Sequence, residues 1–203
     1  VGTRFALAGR SWETVDVNAK SKVLFVKPVQ GISAVDWDRD FDVDLHTVLV
    51  RKVRSVLQGQ EEYLYLSERC RERLNEIRYI ARGSGILEHL VTALSDKKFA
   101  VFPWVGTRQL TTLHFALLQR KIKSRRLWGT TLYLEVVFGG TKEELEAVIR
   151  DILKSDLDLY ALPLPDKVQL RGKYNEFVPG ELLRKQFIED YLDFEGLKEG
   201  MDS

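Results

Sequence analysis

The spacing of apolar residues changes period several times along this chain, and that switching constrains the fold more than any other feature. Residues 5–28 read as β. Trp12 to Val17 and Val23 to Val26 form two strand-like runs, and the polar Asn18-Ala19-Lys20-Ser21 between them suits a hairpin connection. Residues 29–40 read as loop, with Gly31 and the alternating acids Asp36, Asp38 and Asp40. From Leu45 the apolar residues recur at three- and four-residue steps. Leu45, Val48, Leu49, Val53, Val56 and Leu57 give one helical stripe that stops at Gly59.

A second helix is predicted from an N-cap at Ser67 to about Arg82. Its inner line would be Cys70, Leu74, Ile77 and Ala81, and Gly83-Ser84-Gly85 would end it. Residues 86–103 read as a strand pair turning at Ser95-Asp96-Lys97-Lys98. Thr107 to Lys121 reads as a helix with Leu110, Leu113 and Leu117 inward, and Thr131 to Phe138 as a strand. Thr141-Lys142-Glu143-Glu144 is a capping box opening a helix that buries Leu145, Val148, Ile149, Ile152 and Leu153. Glu181 to Leu192 reads as the last helix, and the polar tail 198–203 as frayed. Strands pair with sequence neighbours and do not alternate strictly with helices. The expected fold class is therefore α+β, with antiparallel strand pairs, about five helices and an N-terminal β-hairpin. One compact unit is expected over 1–203, with a β-rich subregion 1–40 and a mixed part 41–203.

Several chemistries are poorly served by these residues. A nucleotide motor needs a glycine-rich loop ending in Gly-Lys-Ser/Thr, whose N–H groups cradle phosphate. The nearest approach, Gly139-Gly140-Thr141-Lys142, has the wrong order and fits a helix cap. Cys70 lies on the expected inner line of a helix, where a thiol is packing and not a nucleophile. His46, His89 and His114 stand far apart, and the acids of 36–44 lack the glycine and glutamate of a calcium loop. No catalytic residue, metal site or cofactor is therefore expected within the chain. No apolar run is long enough to cross a bilayer, and no signal segment opens the chain, so the expected compartment is the cytoplasm, with no membrane partner. The chain opens at Val1 instead of a Met, which reads as an excised fragment whose partner lies upstream.

The 31 basic and 30 acidic side chains nearly cancel, so any polyanion contact must be local. The densest candidate is Arg120-Lys121-Ile122-Lys123-Ser124-Arg125-Arg126, read as closing the helix before the 131–138 strand. The helix dipole favours a cation or two there, but five in seven positions suit a phosphate track. Trp128 follows closely and offers a stacking face. Trp12 and Trp104, near Arg10 and Arg108, are further stacking candidates. The arginines of 67–82 are interleaved with glutamates and read as a solvated, ion-paired surface.

Three stretches resemble one family. Phe5-Ala6-Leu7-Ala8-Gly9-Arg10-Ser11-Trp12-Glu13-Thr14-Val15 with Val23-Leu24-Phe25-Val26-Lys27-Pro28 is similar to the β-hairpin that follows the motor and winged helix of large helicase-related (Lhr) proteins, DEAD/DEAH-box superfamily 2 helicases. Phe102-Pro103-Trp104-Val105-Gly106-Thr107-Arg108 resembles that family's strand-to-helix turn. Lys173-Tyr174-Asn175-Glu176-Phe177-Val178-Pro179-Gly180-Glu181-Leu182-Leu183 resembles its near-terminal segment. The segment 29–44, with Trp37 among aspartates, departs from the family pattern. The resemblance implies a parent with two RecA-like domains and a winged helix, which uses ATP and Mg2+ to translocate on single-stranded nucleic acid. This chain would be its non-catalytic accessory domain, bound to single-stranded DNA or RNA and to the motor domains. The alternative is a structural module that braces the motor without touching nucleic acid. None of the family's ATPase motifs maps onto these residues.

Overall fold

A computed structural model describes residues 1–7, 10–30, 44–126, 132–164 and 175–201. The chain divides into two compact units, Val1–Asp42 and Val43–Ser203, where one unit with a β-rich start was expected.

The first unit is an antiparallel three-stranded sheet in the order β1 (Arg4–Leu7), β2 (Arg10–Asn18), β3 (Val23–Val29). The hairpin between β2 and β3 falls where the polar break predicts it. The Asn18 side-chain oxygen accepts the Ser21 N–H at 3.1 Å, and Lys22 takes a left-handed conformation (φ 54°) to re-enter the strand. A register shift between Thr14 and Asp16 interrupts strict alternation along β2. Glu13 is clasped by Arg4 (2.9 Å) and Lys27 (2.8 Å), one cation from each flanking strand. Lys27 first, and then Arg4, hold its carboxyl below the usual carboxylate range through these hydrogen bonds. The apolar side chains of the hairpin do not form a core. Val15, Val17, Val23, Leu24, Phe25 and Val26 are all exposed, and Thr14 is buried.

The second unit is built on a four-stranded antiparallel sheet, order β4 (Val91–Ser95), β5 (Lys98–Val101), β7 (Leu134–Val137), β6 (Lys123–Arg126). Six α-helices are present among the described residues: α1 (Thr47–Gln58), α2 (Glu68–Gly83), α3 (Thr107–Gln119), α4 (Lys142–Lys154), α5 (Gly180–Tyr191) and α6 (Phe194–Met201). Thus the α+β class with antiparallel pairing is observed. Helix α3 sends Leu110, Leu113 and Leu117 into the core, where all three are fully buried. It packs on β6, α5 and α6, while α4 packs on β4. The α4 capping box forms as its sequence requires: Thr141 Oγ1 accepts the Glu144 N–H, and the Glu144 carboxylate accepts the Thr141 N–H.

A smaller cluster joins Val50 of α1, Ala81 of α2, Leu87 and Trp104. Here the expected faces shift. Val48 and Leu49 are exposed, and Val50, outside the expected stripe, is the α1 residue that is buried. In α2 the inner line runs through Arg71, Leu74, Arg78 and Ala81, while Cys70 and Ile77 are exposed. The cause lies in the end of α1, whose last carbonyls lack intrahelical donors. Arg78 Nε donates to the Val56 carbonyl (2.9 Å) and Nη1 to that of Glu61 (3.1 Å). Arg82 Nη2 donates to the carbonyls of Gln58 (3.2 Å) and Gly59 (3.0 Å). Two arginines thus turn α2 so that guanidinium, and not thiol, faces inward.

The tail is also more ordered than expected. Leu197 of α6 is fully buried, and the Gly200 carbonyl accepts from Arg51 at 2.9 Å. A Cβ on Gly200 would lie 2.7 Å from Val105 Cγ1, so this close approach needs glycine.

Candidate nucleic-acid interface

Only the start of the basic run closes a helix. Arg120 is the C-cap of α3, and Lys121 adopts a left-handed conformation (φ 60°) that reverses the chain. Ile122 drops into the core, and Lys123–Arg126 then runs as the edge strand β6. A closed pair of hydrogen bonds fixes this strand to the helix: His114 Nδ1 lies 2.7 Å from Ser124 Oγ, which donates to the His114 carbonyl at 3.2 Å. The sequence pattern hid this step, because four residues, three of them charged, are too short to show a period.

The cations of the run have different surroundings. Arg120 pairs with Asp151 of α4 at 2.8 Å, and Arg125 with Glu135 of β7 at 3.3 Å. Both pairs are exposed, and such pairs hold their partners weakly, by about 0–1 kcal/mol. Lys121 and Lys123 are exposed. Arg126 lies on β6, but its side chain is outside the described residues, as are the Arg10 side chain and all of Trp128.

Two further candidates are structural. Trp104 is 4% exposed, with its indole N–H donating to the Ile86 carbonyl (3.1 Å) and the Arg54 guanidinium 5.8 Å from its ring. Its φ of 52° is a conformation that costs a bulky residue about 1–3 kcal/mol, which the surrounding cluster must offset. It offers no face to a base. Arg108 Nη2 donates to the carbonyls of Glu189 (2.5 Å) and Leu192 (3.0 Å), so its charge sits on the C-terminal end of α5. The stretch Pro103-Trp104-Val105-Gly106-Thr107-Arg108 is a joint of the fold. Thr107 N–H donates to the Leu45 carbonyl (2.9 Å), Leu45 N–H to Thr107 Oγ1 (2.9 Å) and Gly106 N–H to Thr47 Oγ1 (2.9 Å). Trp12 is half-buried on β2, opposite Phe5 and Pro28.

The sheet adds residues that no sequence motif marks. In register, Lys98, Val137 and Lys123 lie side by side across three strands, and Ala100, Glu135 and Arg125 form the next row. Glu135 therefore sits between Arg125 (3.3 Å) and Lys98 (3.9 Å). Beyond those rows Phe102 and Tyr133 stack, with ring centroids 4.8 Å apart and planes inclined by 24°. Only strand pairing brings Lys98 beside Lys123, so nothing local could have announced it.

A shallow cavity of about 400 Å³ beside α2 is lined by Glu61, Glu62, Glu68, Glu72, Tyr63, Arg71 and Arg78 among others. Its mixed charges favour neither a polyanion nor a simple cation. Among the described residues no three His, Cys, Asp or Glu side chains converge as metal ligands do, and no helix is long and apolar enough to cross a membrane. Compared with protein-family models, with curated proteins and with solved structures, the chain matches none.

Proposed function

We propose that this chain is a non-catalytic accessory domain of an ATP-driven DEAD/DEAH-box helicase of the large helicase-related type, working in the cytoplasm. It helps to hold single-stranded nucleic acid while RecA-like domains of the same parent, with ATP and Mg2+, do the mechanical work. One observation carries the reading beyond the sequence resemblance. The basic run leaves α3 and lines a sheet edge, with Lys121, Lys123 and Arg125 exposed. Cations along an extended edge suit a phosphate chain, because each phosphate neutralised releases condensed counterions. The buried Trp104 and the engaged Arg108 are left out of the proposed contact set, which keeps the exposed cations of this edge.

The test is salt-dependent binding of a single-stranded oligonucleotide to the whole chain. Lys121→Glu, Lys123→Glu and Arg125→Glu together should weaken binding at low salt. The slope of log K against log salt should become shallower by about 0.7 for each phosphate that is no longer neutralised. A wild-type chain that shows no salt-dependent binding would sink the proposal.

The bracing alternative is favoured by a different observation, the exposed apolar side chains Val23, Leu24, Phe25 and Val26 of the hairpin. On that reading the hairpin packs against the motor domains of the parent. Charge reversal on β6 would then leave nucleic-acid affinity of the whole parent unchanged.

A further inference from the structure

We propose that the face of the four-stranded sheet carrying Lys98, Lys123 and Arg125 is a platform for one nucleic-acid strand, with Tyr133 stacking on a base and Glu135 setting the strength of the grip. This rests on the accessory-domain reading and deepens it. It adds residues from β5 and β7 to the edge strand, and it gives the one acid of these rows a role.

Side chains directly opposite one another across an antiparallel ladder share a face, and strands lie about 4.8 Å apart. Lys98 on β5 and Lys123 on β6 flank Val137 in one row, so their backbones stand two strand spacings apart, about 10 Å. Arg125 follows in the next row. The three cations come from two segments, Lys98 from β5 and Lys123 and Arg125 from β6, and all extend into solvent, with side chains 54% and 66% exposed for Lys98 and Arg125. The apolar residues of these strands, Phe99, Val101, Leu134 and Val136, occupy the alternate positions and are buried. On the opposite face Ala100 is also buried, so the solvent-facing part is the strip of Lys98, Val137, Lys123 and Arg125.

At the end of the rows, Tyr133 lies half-buried against Phe102. A ring already stacked on a second ring is held in one orientation, which lowers the entropy lost when a base packs on it. Basic side chains beside a fixed aromatic are what a single strand needs: phosphates for the cations and an unstacked base for the ring.

Glu135 opposes that grip. Its carboxylate partners both Lys98 and Arg125, and an incoming phosphate must displace it. A surface that holds a moving strand gains from weak contacts, because each must be broken at every step. Glu135 therefore acts as a brake on affinity.

The experiment is fluorescence anisotropy of a labelled 20-mer oligo(dT) with the whole chain at several salt concentrations. Glu135→Gln should tighten binding by about fivefold, the factor that one unit-charge contact at 4 Å in water is worth. Lys98→Ala should weaken binding and reduce the salt slope by about 0.7. Tyr133→Phe should keep the affinity, and Tyr133→Ala should lose about five- to hundredfold. If Tyr133→Ala fails to fold by its melting curve, the variants of the exposed Lys98 and the half-buried Glu135 decide. Glu135→Gln binding no tighter than wild type, or Lys98→Ala with an unaltered slope, overturns the platform. If those variants are silent while Lys121→Glu still weakens binding, the platform falls and the accessory-domain reading stands. No binding by wild type removes both.

Discussion

In Val43–Ser203, Leu110, Leu113 and Leu117 point from α3 into a core where none has any solvent exposure. In Val1–Asp42, Val23, Leu24, Phe25 and Val26 lie in an equally regular element and all are exposed. Among the described residues every buried apolar side chain belongs to the second unit. The first unit takes its form from backbone pairing, the Asn18 turn and the Glu13 clasp, and the second from packing. Small sheets without a buried apolar face are marginal in water. The contrast teaches that regular secondary structure and a stable fold are separate achievements, and that the hairpin needs something to cover it.

The largest effect that could sharpen this contrast is a core truncation. Leu113→Ala should destabilise the second unit by about 2–5 kcal/mol in urea unfolding, through reduced burial and a residual cavity. Next comes the joint at Gly106, where an added Cβ would lie 2.5 Å from the Leu45 carbonyl oxygen and 2.9 Å from the Thr47 nitrogen. Gly106→Ala should cost about 1–3 kcal/mol by overpacking, since backbone must move. Phe25→Ala should change stability by less than about 0.5 kcal/mol, as for other exposed positions. A cost near that of Leu113→Ala would break the comparison. The smallest effect concerns Glu13. Its carboxyl pKa is depressed in the folded state, so its contribution is present above the unfolded carboxylate pKa and fades as pH falls through the lower folded value. An NMR titration should place the Glu13 midpoint below that of an unfolded peptide, and Glu13→Gln should flatten the acid limb of stability.

Elements with strong local chemistry were legible in the sequence. The Thr141 capping box, the Ser67 cap, the leucines of α3 and the hairpin break at 18–21 all rest on side chains acting within a few residues. What was misread depends on distant partners. Local pattern puts Cys70 on the inner face of α2 because a thiol is more apolar than a guanidinium, yet the carbonyls at the end of α1 draw Arg78 inward. Trp104 read as a stacking candidate because nothing local shows that Ile86 and Arg54 enclose it. The basic run hid a strand behind its charge, and the Lys98 and Glu135 neighbours of that strand follow only from register. Trp128, also a candidate, lies outside the described residues.

The charged edge of β6 has a consequence for how these molecules behave in company. An unpaired strand edge invites the strand of a neighbour to add to it, and lysine or arginine along it discourages that addition. With Lys123 and Arg125 there, the larger sheet is guarded on that side against joining copies into extended assemblies. At β3, one of the two outer strands of the smaller sheet, Val23-Leu24-Phe25-Val26 precedes the first charge at Lys27, and only Pro28 withholds an N–H. Crowded preparations of the protein should therefore begin to self-associate at this ribbon, and a lysine in place of Leu24 should keep them dispersed.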